Sequence, residues 1–155
     1  MYSIFDIFKV SIGPSSSHTM GPMIAGKHFR DLVANEKNIT RIEVKLYGSL
    51  AFTGKAHGSE KGIALGLEGF TPESISAEQI KSTISKIKKN KSIGLFDSNR
   101  ISFNLDKDII CDTKTSPGSH SNTLEIFAYN NLEKVISKTY QSIGGGFVRV
   151  KGCLF

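Results

Sequence analysis

Between Gly13 and Pro22 the chain reads Gly-Pro-Ser-Ser-Ser-His-Thr-Met-Gly-Pro, placing four hydroxyls and an imidazole just ahead of a helical pattern. The start of a helix exposes unpaired backbone N–H groups at the positive end of the macrodipole, an arrangement that favours an anion such as a carboxylate or phosphate. Ser15, Ser16, Ser17 and Thr19 add hydroxyl donors and are preferred capping types, while Pro14 and Pro22 stiffen the approach and the first turn. His18 is the one side chain in the run able to exchange a proton near neutral pH. The plainer reading is that the serines cap a helix and His18 packs without a chemical task.

Three further segments carry chemically suggestive residues. Gly48 to Ser59 follows a strand pattern directly, in the place where α/β proteins hold ligands, and sets His57 among small residues. Its glycines allow close backbone approach, and Ser49, Thr53, Lys55 and Ser59 offer polar contacts. No Gly-Lys-Ser/Thr closes it, so it is not a P-loop, and tight helix packing with a surface histidine is the alternative. The segment Ser119-His120-Ser121-Asn122-Thr123 stands immediately before a strand and by itself reads as a polar turn. In Tyr140 to Val148, Gly144, Gly145 and Gly146 end a strand as a mobile or closely packed exit, a hinge or a linker.

These segments need a scaffold, and 155 residues with 39% hydrophobic content suit a single domain, residues 1–155, with a real core. Ser3 caps a short turn that buries Ile4, Phe5, Ile7 and Phe8. A helix is expected from about His18 to Asn35, then a strand from Thr40 to Tyr47 in which Ile42, Val44 and Leu46 alternate with Arg41, Glu43 and Lys45. Short helical pieces follow within the glycine-rich Gly48–Gly69, and a longer helix spans Ser76–Lys91. Strands are expected at Arg100–Leu105, Asp108–Asp112, Thr123–Tyr129 and Lys134–Ser142, the last two joined by the turn Asn130-Asn131. Helices early and strands late predict an α/β, α+β-like fold, with helices on a mixed or largely antiparallel sheet.

The net charge of +6 is densest at Lys81, Lys86, Lys88, Lys89 and Lys91, in a segment whose Ile80, Ile84 and Ile87 recur at helical spacing. That is the solvated face of an amphipathic helix, and no nucleic-acid motif, arginine cluster or row of stacking aromatics accompanies it. Solubility, or contact with an acidic partner chain, accounts for the lysines. There is no run long enough for a membrane span and no signal-peptide pattern, which predicts a cytoplasmic protein. Cys111 and Cys153 form no CxxC pair and read as reduced thiols with no assigned role, short of the roughly four thiolates that a cluster takes.

Taken together the four segments resemble the beta domain of the bacterial iron–sulfur-dependent L-serine dehydratases. The resemblance rests on Ser11 to Thr19 with Gly21-Pro22, on Leu46 to Ala51 with Thr53-Gly54 and His57-Gly58, on His120 with Asn122, and on Thr139-Tyr140 with Ser142 to Phe147. It spans nearly the whole chain and departs from the family pattern at Ser121, where proline is usual, and at Leu124, where methionine or a similar residue is. It implies a lyase of amino-acid catabolism, feeding gluconeogenesis by converting L-serine to pyruvate and ammonia, and a fold similar to the allosteric substrate-binding domain of phosphoglycerate dehydrogenases.

The resemblance further implies a [4Fe-4S] cluster with one iron open to substrate as Lewis acid, carried by a separate alpha domain, fused or encoded as a partner subunit. This chain would bind no metal itself, residues 144–155 would begin the linker toward that domain, and the chain would be a fragment or subunit inactive alone and paired as a homodimer. His18 and His57 become the catalytic candidates, with the base undecided between them. Ser15, Ser16, Ser17 and Thr19 become candidates for holding the substrate carboxylate, joined in substrate binding by Ser49, Thr53, His120 and Asn122. A non-catalytic module that captures an amino acid or other anion shares every one of these residues. A Ser–His hydrolase ranks last, because no G-x-S-x-G elbow is present and adjacent Ser17 and His18 cannot aim at one another.

Overall fold

Alternation of apolar and polar residues makes Arg41–Tyr47 a strand, β1, whose Ile42, Val44 and Leu46 are fully buried while Arg41, Glu43, Lys45 and Tyr47 face the other way. The structure, a computed structural model, describes residues 16–36, 38–96, 99–116, 118, 120–131, 133–144, 147–150 and 153–154, with the backbone alone at residues 16–17, 54–57, 96, 99, 135, 147 and 153–154. The expected N-terminal turn that buries Ile4, Phe5, Ile7 and Phe8 lies outside the described residues.

Among the described residues four helices pack on the sheet. Helix α1 is Ser16–Leu32, continued by a 3₁₀ turn at Val33–Asn35. Helices α2 (Gly48–His57) and α3 (Ser59–Leu67) occupy the glycine-rich stretch, and α4 is Ala77–Asn90. Ser76 opens α4 with a capping box, its hydroxyl accepting from the Gln79 N–H while the Gln79 side chain accepts from the Ser76 N–H. Ile80, Ile84 and Ile87 are buried and the lysines between them face solvent, as the spacing predicts.

Glycines set how closely α1 and α3 approach. A β-carbon on Gly66 would stand 2.1 Å from the Met23 carbonyl oxygen, one on Gly62 2.6 Å from that of Thr19, and one on Gly26 2.7 Å from that of Ile63. Only glycine allows this backbone contact. At the far end Arg30 donates to the carbonyls of Leu67 and Gly94 at 2.7 and 2.6 Å, tying α1 to α3 and to the strand β2 (Ser92–Phe96).

The remaining strands are β3 (Asn99–Ser102), β4 (Ile109–Asp112), β5 (Asn122–Asn130), β6 (Glu133–Gly144), β7 (Phe147–Val150) and β8 (Cys153–Leu154). They form one eight-stranded sheet in the order β2-β3-β1-β5-β6-β7-β8, with β4 also on β1. β1 is parallel to β3 and β4 and antiparallel to β5, and every other pairing is antiparallel. The α+β class with a mixed sheet is therefore as expected.

The strand expected at Arg100–Leu105 is shorter. It ends at Ser102, because Asn104 and Asp108 take over the next backbone groups: the Asn104 N–H donates to the Asp108 carboxylate at 2.7 Å, and the Asp106 N–H to the Asn104 side chain at 2.9 Å. Phe103 and Leu105 are buried within that turn. β2 was not anticipated, since five residues around Gly94 carry little strand pattern of their own. The turn between β5 and β6 falls where expected, with Asn131 in the left-handed region at φ 48°. None of the described helices is long and apolar enough to cross a membrane.

Candidate active site

The parallel register of β1 and β4 brings Tyr47 opposite Asp112 at the carboxyl ends of both strands, and the antiparallel register sets Thr123 beside Tyr47 and Gln141 beside Thr123. Carboxyl ends of parallel strands are where open α/β sheets place ligands. At this edge Gly48 turns the chain out of β1 with φ 54° and forms a bridge to Asn122, and the Ser49 N–H donates to the Ser121 carbonyl at 2.9 Å. The start of α2 is thereby held against the loop before β5.

His18 arrives from the first turn of α1. It is half-buried, and its Nε2 lies 2.9 Å from the Ser49 hydroxyl, a pairing across 31 residues. Its backbone is set by a proline. In an α-helix the carbonyl of residue 18 accepts from the N–H of residue 22, and Pro22 has none. The Ser59 hydroxyl donates to the His18 carbonyl instead, from a fully buried position at the start of α3. Pro22 thus lies in the second turn of α1 rather than the first, because the helix begins as early as Ser16. Thr19 is completely buried, and Gly21 lies so close to β6 that a β-carbon there would meet the buried Ser142 hydroxyl at 1.9 Å.

On the other side of Ser49, His120 Nδ1 accepts the Asn122 N–H at 3.1 Å, which leaves Nε2 as the proton-bearing nitrogen of the neutral ring. The Thr123 hydroxyl donates to the His120 carbonyl at 2.5 Å and fixes the loop. The side-chain oxygen of Asn122 is buried and has no hydrogen-bond partner among the described residues. A buried acceptor left without a donor needs a group to meet it, such as water, an ion, a ligand or a partner chain, and the side-chain oxygen of Asn130 at the far end of β5 is in the same state.

The other sequence candidates stand as follows. The Thr53 hydroxyl donates to the Ser49 carbonyl one turn back at 2.8 Å, bracing the first turn of α2. Ser16 and Ser17 are the first residues of α1, and their side chains, like the whole of Ser15, lie outside the described residues. His57 is the last residue of α2, about 12 Å along the axis from Ser49, and its side chain also lies outside them. Its backbone stands two residues before Ser59 and is turned there by Gly58 at φ 79°. Cys111 is half-buried on β4.

The tyrosines of this region stay protonated at neutral pH. Burial, with the Glu125 carboxylate that the Tyr47 hydroxyl reaches at 3.1 Å, pushes Tyr47 up to about 12. Burial also raises Tyr140, whose hydroxyl meets His28 Nδ1 at 2.8 Å. At the end of β4, hydrogen bonds from Thr115 and Lys114 hold Asp112 below the usual carboxylate range.

The four motif segments therefore meet at one sheet edge. Sequence reasoning gave Pro22 a stiffening role, Ser59 a polar contact and Ser142 a place in a motif, but did not anticipate that Ser59 replaces the bond lost to Pro22 or that Ser142 lies against Gly21. The signal was a proline four residues after a histidine within a helical pattern. Chemically the edge offers an imidazole bonded to a hydroxyl, a second imidazole with a set tautomer and an unpartnered amide oxygen. That is equipment for holding a small polar molecule and moving a proton on it.

An α+β domain with its polar site at the carboxyl ends of β1 and β4, fed by a Ser-Ser-Ser-His helix start, is the class that fold and site define. Residues 3–152 match the family described as serine dehydratase beta chain, and the chain belongs to that family. It is 41% identical over 152 residues to L-serine dehydratase 1 of Escherichia coli, covering 96% of this chain and 33% of that protein. It is 39% identical over 150 residues to the L-serine dehydratase of Streptomyces coelicolor, covering 94% of this chain and 33% of the relative. To the L-serine dehydratase of Helicobacter pylori it is 39% identical over 149 residues, covering 95% of this chain and 32% of the relative. The chain spans about a third of the length of the curated relatives it matches.

Proposed function

We propose that this chain is the beta part of a cytoplasmic L-serine dehydratase, an ammonia-lyase that converts L-serine to pyruvate and ammonia once an alpha part joins it. The observation that carries the reading is the His18–Ser49 pair beside the unpartnered Asn122 oxygen, in a chain that shares about 40% of its residues with one third of proteins so named. On this reading the hydroxyls of Ser15, Ser16 and Ser17 and the N–H groups at the start of α1 hold the substrate carboxylate, while Thr19, expected to join them, is completely buried and supports that turn from within. Ser49, Thr53, His120 and Asn122 hold its remaining polar groups. The base that removes the Cα proton is His18 or His57, as neutral imidazole. Loss of that proton and of the β-hydroxyl, as water, leaves aminoacrylate, which tautomerises and hydrolyses without help from the protein.

The reading assigns a [4Fe-4S] cluster to the alpha part. Among the described residues no group of three or more His, Cys, Asp or Glu comes together, so these residues do not fit a cluster, and no step above passes through one. Residues 144–155, whose β7 and β8 stay in this domain's sheet, precede the alpha part, and two copies of the domain pair. On this reading the covering partner reaches Phe52, three residues from Ser49 on α2 and 72% exposed.

The test is pyruvate formation from L-serine under anaerobic conditions, by the chain alone and mixed with a cluster-loaded alpha part of a relative. Activity in the mixture alone is the expected result. A mixture that associates and stays inert would overturn the lyase reading.

A further inference from the structure

Away from the candidate site, the end of α4, the first turn of α3 and the turn at 104–108 enclose a cavity of about 520 Å³. Four lysines line it: Lys61 from α3, Lys88 from the last turn of α4, Lys91 just beyond it, and Lys107 from the turn. Two carboxylates, Glu60 and Asp106, face the same space and leave a surplus of two positive charges. None of the four lysines is in an ion pair among the described residues.

The lysines are held on a firm frame. Lys91 closes α4 in the left-handed region at φ 48°, its N–H bonded to the Ile87 carbonyl at 2.8 Å and its carbonyl accepting the Phe103 N–H at 2.9 Å. The Lys107 N–H donates to the Asn104 carbonyl at 3.1 Å, and the buried Ile87 and Leu105 complete the wall. The carboxyl end of α4 is the negative end of its dipole and by itself repels anions, so any attraction comes from the side chains. Lysines are compact point charges that accept phosphate or carboxylate without demanding a forked geometry. The cavity lies in the size range of small-molecule sites, about 300–1,000 Å³, and is concave where a macromolecular surface would be flat.

We propose that this cavity binds a small anion bearing two or more negative charges, as phosphate or carboxylate groups. The site stands independently of the dehydratase reading, although Glu60 and Lys61 directly follow the Ser59 that holds His18.

Calorimetric titration of the chain with inorganic pyrophosphate and, separately, with succinate at low ionic strength tests it. Saturable one-to-one binding of either probe is expected, pyrophosphate marking a phosphate site and succinate a carboxylate site. The double variant Lys88→Gln/Lys107→Gln should weaken it at least about tenfold, while Lys86→Gln/Lys89→Gln, which removes the same charge from the outer face of α4, should change it less than about twofold. An unchanged melting temperature without probe shows that both variants fold. Absence of saturable binding, or equal losses in both variants, would overturn the proposal.

Discussion

His18 owes its place to two residues that act on its backbone carbonyl. Pro22 withholds the N–H that would have bonded its carbonyl, and Ser59 supplies a hydroxyl in exchange. Removing that hydroxyl in Ser59→Ala takes a donor away from a part-buried carbonyl, at a cost of about 0.5–1.5 kcal/mol. Thermal unfolding should then shift down by several degrees, while Ser59→Thr, which keeps the donor, should shift less. In the assembled enzyme, His18→Ala and His57→Ala should each lower kcat by about 10²- to 10⁴-fold with the fold intact. Wild-type turnover in both would remove them from the mechanism. A second histidine reports on stability. Burial is the largest influence holding His28 below its ordinary value of 6.5, aided by Lys138 and opposed by Asp31. The unfolded chain therefore takes up the proton first. Stability is complete above pH 6.5 and falls as the pH drops from there toward the lowered folded value. Urea unfolding at about pH 7.5 and about pH 5.5 should show this loss in the native chain and a smaller one in His28→Gln.

At the scale of elements, the contact of α1 with α3 decides whether His18 meets Ser59 at all. A methyl group at Gly66 would overlap the Met23 carbonyl, so α3 must move away from α1. Gly66→Ala should cost about 1–3 kcal/mol, roughly 3–10 °C in melting temperature, despite alanine being the better helix former. The same substitution at exposed Gly118, where φ is +83° and nothing lies within 4 Å, tests a different cause, since only backbone strain opposes it. A larger loss at Gly118 than at Gly66 would contradict the packing account.

For the whole molecule, the site opens at a sheet edge next to an exposed phenylalanine, so assembly and activity should be linked. Phe52→Lys should leave the melting temperature of the chain nearly unchanged, because the side chain is already 72% exposed, while weakening association with the alpha part about tenfold or more. Sedimentation of the mixture measures this. The chain's own sedimentation reports whether two copies pair.

The class of the elements and most of their bounds follow from the order of residues alone. The alternation in β1, the isoleucine spacing and capping box of α4, and the asparagine turn before β6 are local signals that tertiary packing reinforces. The sequence also pointed to the segments that meet, through the types and order of His18, Ser49, His120 and Asn122. Packing of the whole chain was needed to place His18 Nε2 against Ser49, to let Ser59 replace the bond lost to Pro22, and to leave Asn122 with a buried oxygen unpartnered among the described residues. Local periodicity carries information over a turn or a few residues. Those contacts join residues 31 and 41 positions apart, and the strand register and glycine-mediated helix approach that create them exist only once the chain has packed.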